Sequence, residues 1–343
     1  MSEDYDGRQY VGMDLHRRRS LLVRITESGE RLWTVCIFND REQLAAVMAR
    51  AGEDPEVVLE ATYGWYWAVD ALAELGGCVH FAHPLGVKGF SYRRVKNDER
   101  DAADLADLLR MKRLPEAWIA PPATRELREL VRHRAKLVHL RTSLRCQVHA
   151  VLANHGVCVP VSDLFGVQGS MLLERAALSA AGRARVDSLL RLIGAFNAEI
   201  DATAKTTATR LGDHPGYAAV QTLPGVGPIL GAVFIAEIGD ITRFPAPAKL
   251  ASWSGLTPKH YESDTTVRRG RISKQGSRLV RWAAVEAVQR LNKHTRIGSY
   301  RDRVAARRGR NIGNVAAARE LIECVYYSLR DGTCRRALTP AAA

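Results

Sequence analysis

The sequence of 343 residues has few of the features that mark secreted, membrane-spanning or metal-scaffolded proteins. Its six cysteines form no Cys-x-x-Cys pair and no metal-type grouping with histidine, namely Cys36, Cys78, Cys146, Cys158, Cys324 and Cys334. We therefore expect mostly buried, reduced thiols. The first residues, MSEDYDGRQY, are acidic and polar, unlike a signal peptide, and no run of about 18 apolar residues is present. These absences predict a soluble, cytoplasmic protein.

Lysine is also scarce, although the chain is strongly basic. Of the 50 basic residues 41 are arginine and 9 are lysine, and against 37 acidic residues they give a net charge of +13. A sequence pI near 9.7 indicates a polyanionic partner, most simply nucleic acid. Arginine binds phosphate in a bidentate manner, but a GC-rich genome produces the same bias, and the sequence does not decide between the two explanations.

Residues 1–120 have the mixed pattern of an α/β domain. Three short strand-like runs, QYVGMDL, SLLVRIT and RLWTVCIF, come first. Two helical runs, DREQLAAVMARAG and GWYWAVDALAELGG, then alternate with the strand-like PEVVLEA and CVHFAHP. This order of hairpin strands followed by alternating helices and strands predicts an RNase H-like sheet.

Residues 121–215 are predicted to form a helical coiled-coil and dimerisation segment, which follows the proline-rich linker RLPEAWIAPPATRE. Apolar residues recur at every seventh position, as in a heptad seam, namely Leu130, Leu137, Leu144 and Val151. Others widen the stripe, namely Leu127, Val131, Val138 and Val148. The stripe could pair with another chain or with a second helical run at roughly 171–211, and the sequence leaves both possibilities open.

Residues 216–343 are predicted to be mainly helical. Two helical runs surround the glycine-rich turn of QTLPGVGPILGAVFIAEIGDITRF, and a basic loop then leads to a helix-rich stretch that ends near residue 331. We expect the tail ALTPAAA to lack order.

Acidic residues are concentrated at 95–110, VKNDERDAADLADLLR. Asp98, Asp101 and Asp104 recur at every third residue and share a helix face, where like charges repel by a few tenths of a kcal/mol per pair. A divalent cation would offset this repulsion. We expect Asp104 and Asp107, further along the helix, to be paired or solvated.

Two more carboxylates lie near predicted strand ends. Asp14 is near the end of the first strand and Glu60 at the end of a central one; each alone is typical of a solvated strand end. Together with Asp98 and Asp101 they can converge on one or two Mg²⁺ ions, which require hard oxygen ligands and activate phosphodiesters.

Two segments of the third region favour contact with a nucleic-acid backbone. In LPGVGPILGA, Gly225 and Gly227 let backbone amides approach a phosphate, as in a helix-hairpin-helix turn. In GLTPKHYESDTTVRRGRISKQGSRLVRW, seven Lys or Arg lie between Lys259 and Arg281 and can neutralise phosphates. The predicted contact residues are Gly225, Gly227, Lys259, Arg268, Arg269, Arg271, Lys274 and Arg278. Ser263, within this basic segment, is either a nucleophile or a hydrogen-bonding loop residue.

Five stretches together resemble the IS110 family of transposases over essentially the whole chain, namely VGMDL, VLEATYGWYW, VKNDERDAADLADLL, LPGVGPILGA and GLTPKHYESDTTVRRGRISKQGS. The resemblance implies a RuvC-like DEDD domain, a coiled coil and a C-terminal transposase domain. It also implies a Mg²⁺ site, in which the matching acids are Asp14, Glu60, Asp98 and Asp101.

The resemblance further implies a serine nucleophile that forms a covalent phosphoserine link with DNA. The matching residue is Ser263, with Ser273 and Ser277 as weaker candidates. Asp264 departs from the family, which frequently has glycine there.

The partners that the resemblance implies are donor and target DNA and a structured noncoding guide RNA encoded by the element. It also implies a homodimer that assembles to a tetramer, with a site built from different protomers, in the bacterial cytoplasm at the nucleoid. Two other functions remain open. One is a metal-dependent, Holliday-junction-type nuclease in which water is the nucleophile; the other is a non-catalytic nucleic-acid-binding protein.

Overall fold

The computed structural model describes residues 5–90 and 97–334. The tail ALTPAAA lies outside this range. The chain forms two compact units, Met1–Ile119 and Ala120–Ala343. The helical segment and the C-terminal region are thus found within one unit, and their division near residue 215 stays a prediction. Among the described helices, none combines the length and the apolar composition needed to cross a membrane.

The first unit contains a mixed sheet with helices on both sides. Its described strands are β1 Tyr10–Leu15, β2 Arg19–Ile25, β3 Arg31–Phe38, β4 Glu56–Glu60 and β5 Cys78–Ala82. Its described helices are α1 Arg41–Met48, α2 Trp65–Glu74, α3 Pro84–Val87 and α4 Asp98–Arg110. The strand order is β3-β2-β1-β4-β5; β2 is antiparallel to β1 and β3, while β4 is parallel to β1 and β5. This arrangement is compatible with the predicted RNase H-like fold.

The two faces of the sheet bury separate hydrophobic cores, because successive side chains of a strand point to opposite faces. Val11 and Met13 of β1 pack in one core with Leu44 of α1 and Leu72 of α2. On the other face, Tyr10 of β1 and Val58 of β4 pack with residues of α4, namely Ala102, Leu105, Ala106 and Leu109. The face covered by α4 carries the acidic residues described below.

The second unit is mainly helical. Its described helices are α5 Pro122–Asn154, α6 Val167–Arg175, α7 Ala180–Arg210, α8 Pro215–Gln221, α9 Pro228–Ile238, α10 Pro247–Trp253, α11 Arg278–Gln289, α12 Arg296–Arg308 and α13 Arg310–Asp331. Two antiparallel strands complete it, β6 Pro258–Ser263 and β7 Thr266–Ile272.

The long helices α5 and α7 contact each other within the chain. Val148, Val151 and Leu152 of α5 pack in one core with Val186 and Leu189 of α7. The C-terminal half of the predicted heptad stripe therefore has an intramolecular partner, as an ordinary helical hairpin would give it.

Helix α9 lies at the centre of the larger core of the second unit. Its residues from Gly231 to Ile238 are all buried, and α8, α11 and α13 contact it or its neighbours in that core. Two arginines bind carbonyl groups at its C-terminal end. Arg128 donates to the carbonyls of Ala236 and Glu237, and Arg243 donates to that of Ile238. Burial lowers the pKa of Arg243 to about 10.

Three predictions about local structure are wrong. The thiols are mostly exposed, namely those of Cys36, Cys78, Cys146 and Cys158, because they lie on solvent-facing sides of β3 and α5 or at element ends. The basic segment after residue 257 is a β-hairpin instead of a loop. The single helical run predicted at roughly 171–211 is two helices, α6 and α7, which are separated at residues 176–179.

Candidate functional site: an acidic cluster and a cationic hairpin

Helix α4 lies directly against β1, and one glycine permits this approach. A Cβ atom placed on Gly12 would lie 1.8 Å from the carbonyl oxygen of Ala102. Asp14 is two residues beyond Gly12 and therefore shares its face of the sheet. Asp98 is one helical turn before Ala102. The close backbone contact thus brings the N-terminal end of α4 to the end of β1.

Asp14 and Asp98 converge on the ring of His16. His16 Nε2 lies 3.1 Å from Asp14 Oδ2 and 3.1 Å from Asp98 Oδ2. The ligand-type atoms of these three residues all lie within 4.8 Å of one another. Arg19 Nη2 is 3.7 Å from Asp98 Oδ2. Two of the four predicted acids are therefore brought together in the first unit.

Of the other two predicted acids, Glu60 lies on β4, the strand beside β1, and Asp101 lies on α4. Met13 pairs with Leu59 across β1 and β4, so that Glu60 ends β4 beside the position of Asp14. Glu60 also shares the α4 face of the sheet with Val58. Asp101 lies three residues after Asp98, in the first turn of α4, where the helix macrodipole favours negative charge.

The residues at this end of the sheet fit a hard divalent cation. Mg²⁺ binds through one or two carboxylates and otherwise through water or substrate oxygens. Asp14 on β1 and Asp98 on α4 each place a carboxylate oxygen 3.1 Å from His16 Nε2. The two carboxylates therefore converge on the position of that nitrogen. Both carboxylates are partly exposed, at 18% and 34%, so a substrate can reach them.

Sequence reasoning missed His16. The sequence offered one indication, namely that His16 lies two residues after Asp14, just beyond the strand. A single histidine beside a run of arginines gave no reason to select it. Asp107 forms an ion pair with Arg110 at 2.7 Å, in agreement with the expectation that it is paired.

The turn between α8 and α9 gives its two glycines different surroundings. Gly225 has φ +80°, and a Cβ atom there would lie 2.2 Å from the carbonyl oxygen of Ala287, so packing against α11 alone requires glycine. Gly227 precedes α9 and would place a Cβ in open space. The packing of the described residues therefore places no steric demand for glycine at position 227.

The hairpin β6–β7 is exposed on both faces. Ser263 is the last residue of β6, pairs with Thr266 across a two-residue turn and is exposed. Asp264, in that turn, has φ +50°, a left-handed conformation that glycine adopts more readily. Of the two turn residues, Asp264 is thus the one at which glycine would have a conformational advantage.

The predicted basic contacts are mostly on this hairpin. Lys259, Arg268 and Arg269 lie on its strands and are exposed. Arg281, in contrast, donates to the carbonyl of Ser254 at 2.8 Å, and burial, followed by the charge of Arg278, lowers its pKa.

The alternative serines differ from Ser263 in their surroundings. The Ser277 hydroxyl donates to Glu237 at 3.0 Å and accepts from the backbone N–H of Val280 as the N-cap of α11. Ser273 lies after β7, and its backbone N–H donates to the carbonyl of Thr257. Ser277 is therefore engaged in holding a helix end, whereas Ser263 lies at an exposed turn.

The first unit is a mixed sheet with acidic residues on the face that α4 covers. This arrangement is compatible with the class of DEDD-type, RNase H-like domains. Comparisons with known proteins agree. Residues 11–156 match the family model of the DEDD-type IS110 transposase domain, described as "Transposase", and residues 217–303 match "Transposase IS116/IS110/IS902 family".

The chain is similar to whole proteins as well. It is 24% identical to the "Insertion element IS116 uncharacterized 44.8 kDa protein" of Streptomyces clavuligerus, over 99% of this chain and 98% of that protein. It is 23% identical to the "Transposase for insertion sequence element IS1328" of Yersinia enterocolitica, over 81% and 84%. A third relative, the "Transposase for insertion sequence element IS1111A" of Coxiella burnetii, is 24% identical over 83% and 78%.

The chain belongs to the IS110 family of transposases, enzymes that act on DNA in transposition. Membership in a DEDD-type family implies dependence on a divalent metal ion, and the cluster at Asp14 and Asp98 offers ligands for one.

Proposed function

We propose that this transposase of an insertion sequence cuts and rejoins DNA through the hydroxyl of Ser263, with Mg²⁺ held by Asp14, Glu60, Asp98 and Asp101. The observation that carries the proposal is the position of Ser263, an exposed hydroxyl at the turn of a cationic hairpin. This hairpin lies inside the segment that matches the transposase family model.

The proposed strand cleavage requires no reactant other than the Ser263 hydroxyl and the phosphodiester. Ser263 Oγ forms a bond to phosphorus, the phosphodiester loses one bridging oxygen, and the proton of the serine ends on that oxygen as a hydroxyl. The phosphoserine conserves the energy of the broken bond, so that a second DNA hydroxyl can reverse the step and rejoin the strand. Lys259, Arg268 and Arg269 neutralise backbone phosphates and hold the strand at the hairpin.

The acids of the first unit contribute through a metal ion. Bound Mg²⁺ supplies charge stabilisation to the attacking and leaving oxygens of a phosphodiester. Asp14 and Asp98 would hold it, with Glu60 and Asp101 on the same face of the sheet. His16, which now lies 3.1 Å from both carboxylates, would either move aside or remain next to the ion.

A guide RNA and a multimeric assembly are also part of the proposal. The family resemblance suggests that an RNA encoded by the element pairs with donor and target DNA, and that protomers of a dimer or tetramer share the composite site. The charge of +13 supports binding of this much polyanion.

The serine mechanism is tested by trapping the covalent link. Purified protein is incubated with its flanking noncoding RNA, Mg²⁺ and labelled donor and target DNA, and the products are run on a denaturing protein gel. We expect a labelled band at the mass of the protein that is absent in Ser263→Ala. The matched control is Thr266→Val, which removes the hydroxyl paired across the same turn and should leave the band. Reactions without the RNA should give no labelled band. Reactions that combine the original target DNA with an RNA of altered loops should also give none.

The metal role is tested in the same assay with neighbouring acids. Asp98→Asn should lower the yield of the adduct by about 10³-fold, the scale of losing one essential catalytic contribution. Glu99→Gln is the control, because the Glu99 side chain is 41% exposed and pairs with Arg31.

The alternative function, a structure-specific nuclease, is favoured by one observation: Asp14 and Asp98 come together within the first unit alone. DNA that is cut without an adduct, and cut equally well by Ser263→Ala, would support the nuclease and contradict the serine mechanism.

A further inference from the structure

Three side chains with oxygen, sulfur and nitrogen donors converge at the other end of the same sheet face. Glu56 begins β4 and Cys78 begins β5, and the two residues are direct partners in the parallel pairing. His80 follows Cys78 on the same face of β5. Candidate ligand atoms of Glu56, Cys78 and His80 all lie within 4.8 Å of one another.

The distances are close to those around a tetrahedral metal ion. Cys78 Sγ lies 3.6 Å from His80 Nε2, and two such ligands on tetrahedral zinc are roughly 3.5 Å apart, as Zn–S and Zn–N bonds of about 2.3 and 2.0 Å require. His80 Nε2 lies 2.5 Å from Glu56 Oε2, so this pair would separate by less than about 1 Å to accept an ion between them.

A further carboxylate orients the imidazole. His80 Nδ1 lies 3.2 Å from Glu116 Oε1. Metal-binding histidines almost always donate their second ring N–H to a carboxylate or carbonyl, which fixes the tautomer that presents the other nitrogen to the ion. His80 has this arrangement, with Glu116 on Nδ1 and the two other donors at Nε2.

Two of the three donors, Glu56 and His80, also line a cavity of about 200 Å³, together with Glu116, Arg8 and Lys112. Glu56 and His80 are largely but not wholly buried, with 12% and 21% of their side chains exposed. An ion can therefore reach the cluster from solvent, and a water molecule has room to complete its coordination.

We propose that Glu56, Cys78 and His80 bind a thiophilic divalent cation of the Zn²⁺ class, oriented by Glu116. Thiolate and imidazole ligands select zinc-like ions, whereas Mg²⁺ requires oxygen ligands. The site is distinct from the acidic cluster, because β4 separates Glu56 from Glu60 by about 13 Å at 3.3 Å per residue. A cation there would join the starts of β4 and β5 to the segment around Glu116.

One resident cation competes with the proposed ion. The Arg8 guanidinium pairs with Glu56 Oε1, and more than half of its side chain is exposed. Removing Arg8 would free this carboxylate for a metal ion, so a substitution outside the ligand set should tighten metal binding.

Cobalt is the probe for the test, because a Co²⁺–thiolate bond gives a charge-transfer absorption that carboxylate sites lack. Full-length protein, free of Mg²⁺, is titrated with Co²⁺. We expect one equivalent to produce the band, and Cys78→Ser to abolish it. Cys158→Ser, which removes another exposed thiol, and Asp98→Asn, in the acidic cluster, should retain it. No band, or a band that persists in Cys78→Ser, would overturn the proposal.

Two exposed positions test the arrangement around the ligands. Glu116→Gln should weaken Co²⁺ binding by about tenfold or more, the usual effect of removing a carboxylate behind a ligating histidine, and Arg8→Gln should tighten it. Unchanged affinity in both variants would contradict the site. Zn²⁺ should displace Co²⁺ and remove the band, while the same concentration of Mg²⁺ should not; displacement by Mg²⁺ would also count against it. Circular dichroism of each variant verifies the fold, and His80→Gln replaces Cys78→Ser if the latter does not fold.

Discussion

Gly12 is the residue on which the geometry of the acidic cluster depends most directly. We predict that Gly12→Ala lowers the free energy of unfolding by about 1–3 kcal/mol, the usual cost of overpacking a core, because the added Cβ would lie 1.8 Å from the Ala102 carbonyl. The displacement of α4 would also move Asp98 away from Asp14 and lower transposition activity.

The measurement is urea unfolding combined with the adduct assay. The control is Gly194→Ala, since Gly194 lies in α7 with open space around a Cβ. This variant should be neutral or gain up to about 1 kcal/mol from helix propensity. Equal effects of the two substitutions would show that the contact at Gly12 is not limiting.

Asp264 offers a second prediction at the level of single residues. Its φ of +50° costs an ordinary L-residue about 1–2 kcal/mol, and glycine much less. Asp264→Gly should preserve the hairpin, whereas Asp264→Val should increase the rate of amide hydrogen exchange in β6 and β7. Thr265→Val is the matched control, because Thr265 lies in the same turn outside the left-handed region. If Asp264→Val and Thr265→Val exchange at the same rate, the conformation of the turn is not the cause.

At the scale of secondary-structure elements, the two partners of the ion pair between α5 and α9 differ in burial. Glu237 is 5% exposed and accepts from Arg132 at 2.7 and 3.2 Å, whereas the Arg132 side chain is 46% exposed. Arg132→Met leaves a buried carboxylate that keeps, among the described residues, Ser277 as a side-chain donor, and should cost about 3 kcal/mol. Glu237→Gln leaves an arginine that water can reach, and should cost less, about 1 kcal/mol.

Denaturant unfolding of both variants measures this difference. Arg210→Met provides the surface reference, because Arg210 pairs with Glu126 and both side chains are largely exposed; its cost should stay below about 1 kcal/mol. A greater loss in Glu237→Gln than in Arg132→Met would contradict the argument from burial.

The first unit was predictable at the level of elements because its local patterns agree with its tertiary contacts. The five described strands match the β-branched and apolar runs of the sequence, and α4 begins where Asn97 caps a helix rich in leucine and alanine. The hairpin β6–β7 was missed because both of its faces are polar and exposed, so its sequence lacks the alternation that burial of one face imposes.

Of the proposed acids, the structure brings Asp14 and Asp98 together through His16, and the sequence allowed both to be selected but not their geometry. Their predicted positions near a strand end and at a helix start, with the family resemblance, indicated which acids to select, and helical spacing predicted that Asp98 and Asp101 share a face. The presence of His16 between Asp14 and Asp98 depends on strand register and on the contact at Gly12, neither of which a single sequence encodes visibly. The same limitation hid the pairing of Glu56 with Cys78, which are far apart in the chain and adjacent in the sheet. The expectation that no cysteine forms a metal-type grouping with histidine is therefore not met at Cys78 and His80.

At the scale of the whole molecule, the net charge of +13 predicts DNA binding that weakens steeply with salt. Arg268 and Arg269 pair with Tyr261 and His260 on consecutive positions of the hairpin, so they point to opposite faces. Replacing both with glutamine should lower the slope of log affinity against log salt by about 0.9 for each phosphate that the protein no longer neutralises.

The measurement is fluorescence anisotropy with a labelled duplex at several salt concentrations. Arg307→Gln with Arg308→Gln removes the same charge from exposed positions at the end of α12 and serves as the control. If both double variants lower the slope equally, net charge alone governs binding, and the hairpin has no special role.

The hairpin also has a property that matters for engineering. Pro258 and Ile272 pair at its base, so the chain enters and leaves at adjacent points, and its exposed strands contribute little to the core beneath. Such a segment can be exchanged as a cassette between relatives without redesigning the rest of the protein. Chimeras that carry different hairpins on this chain would separate the contribution of the hairpin to substrate choice from that of the proposed guide RNA.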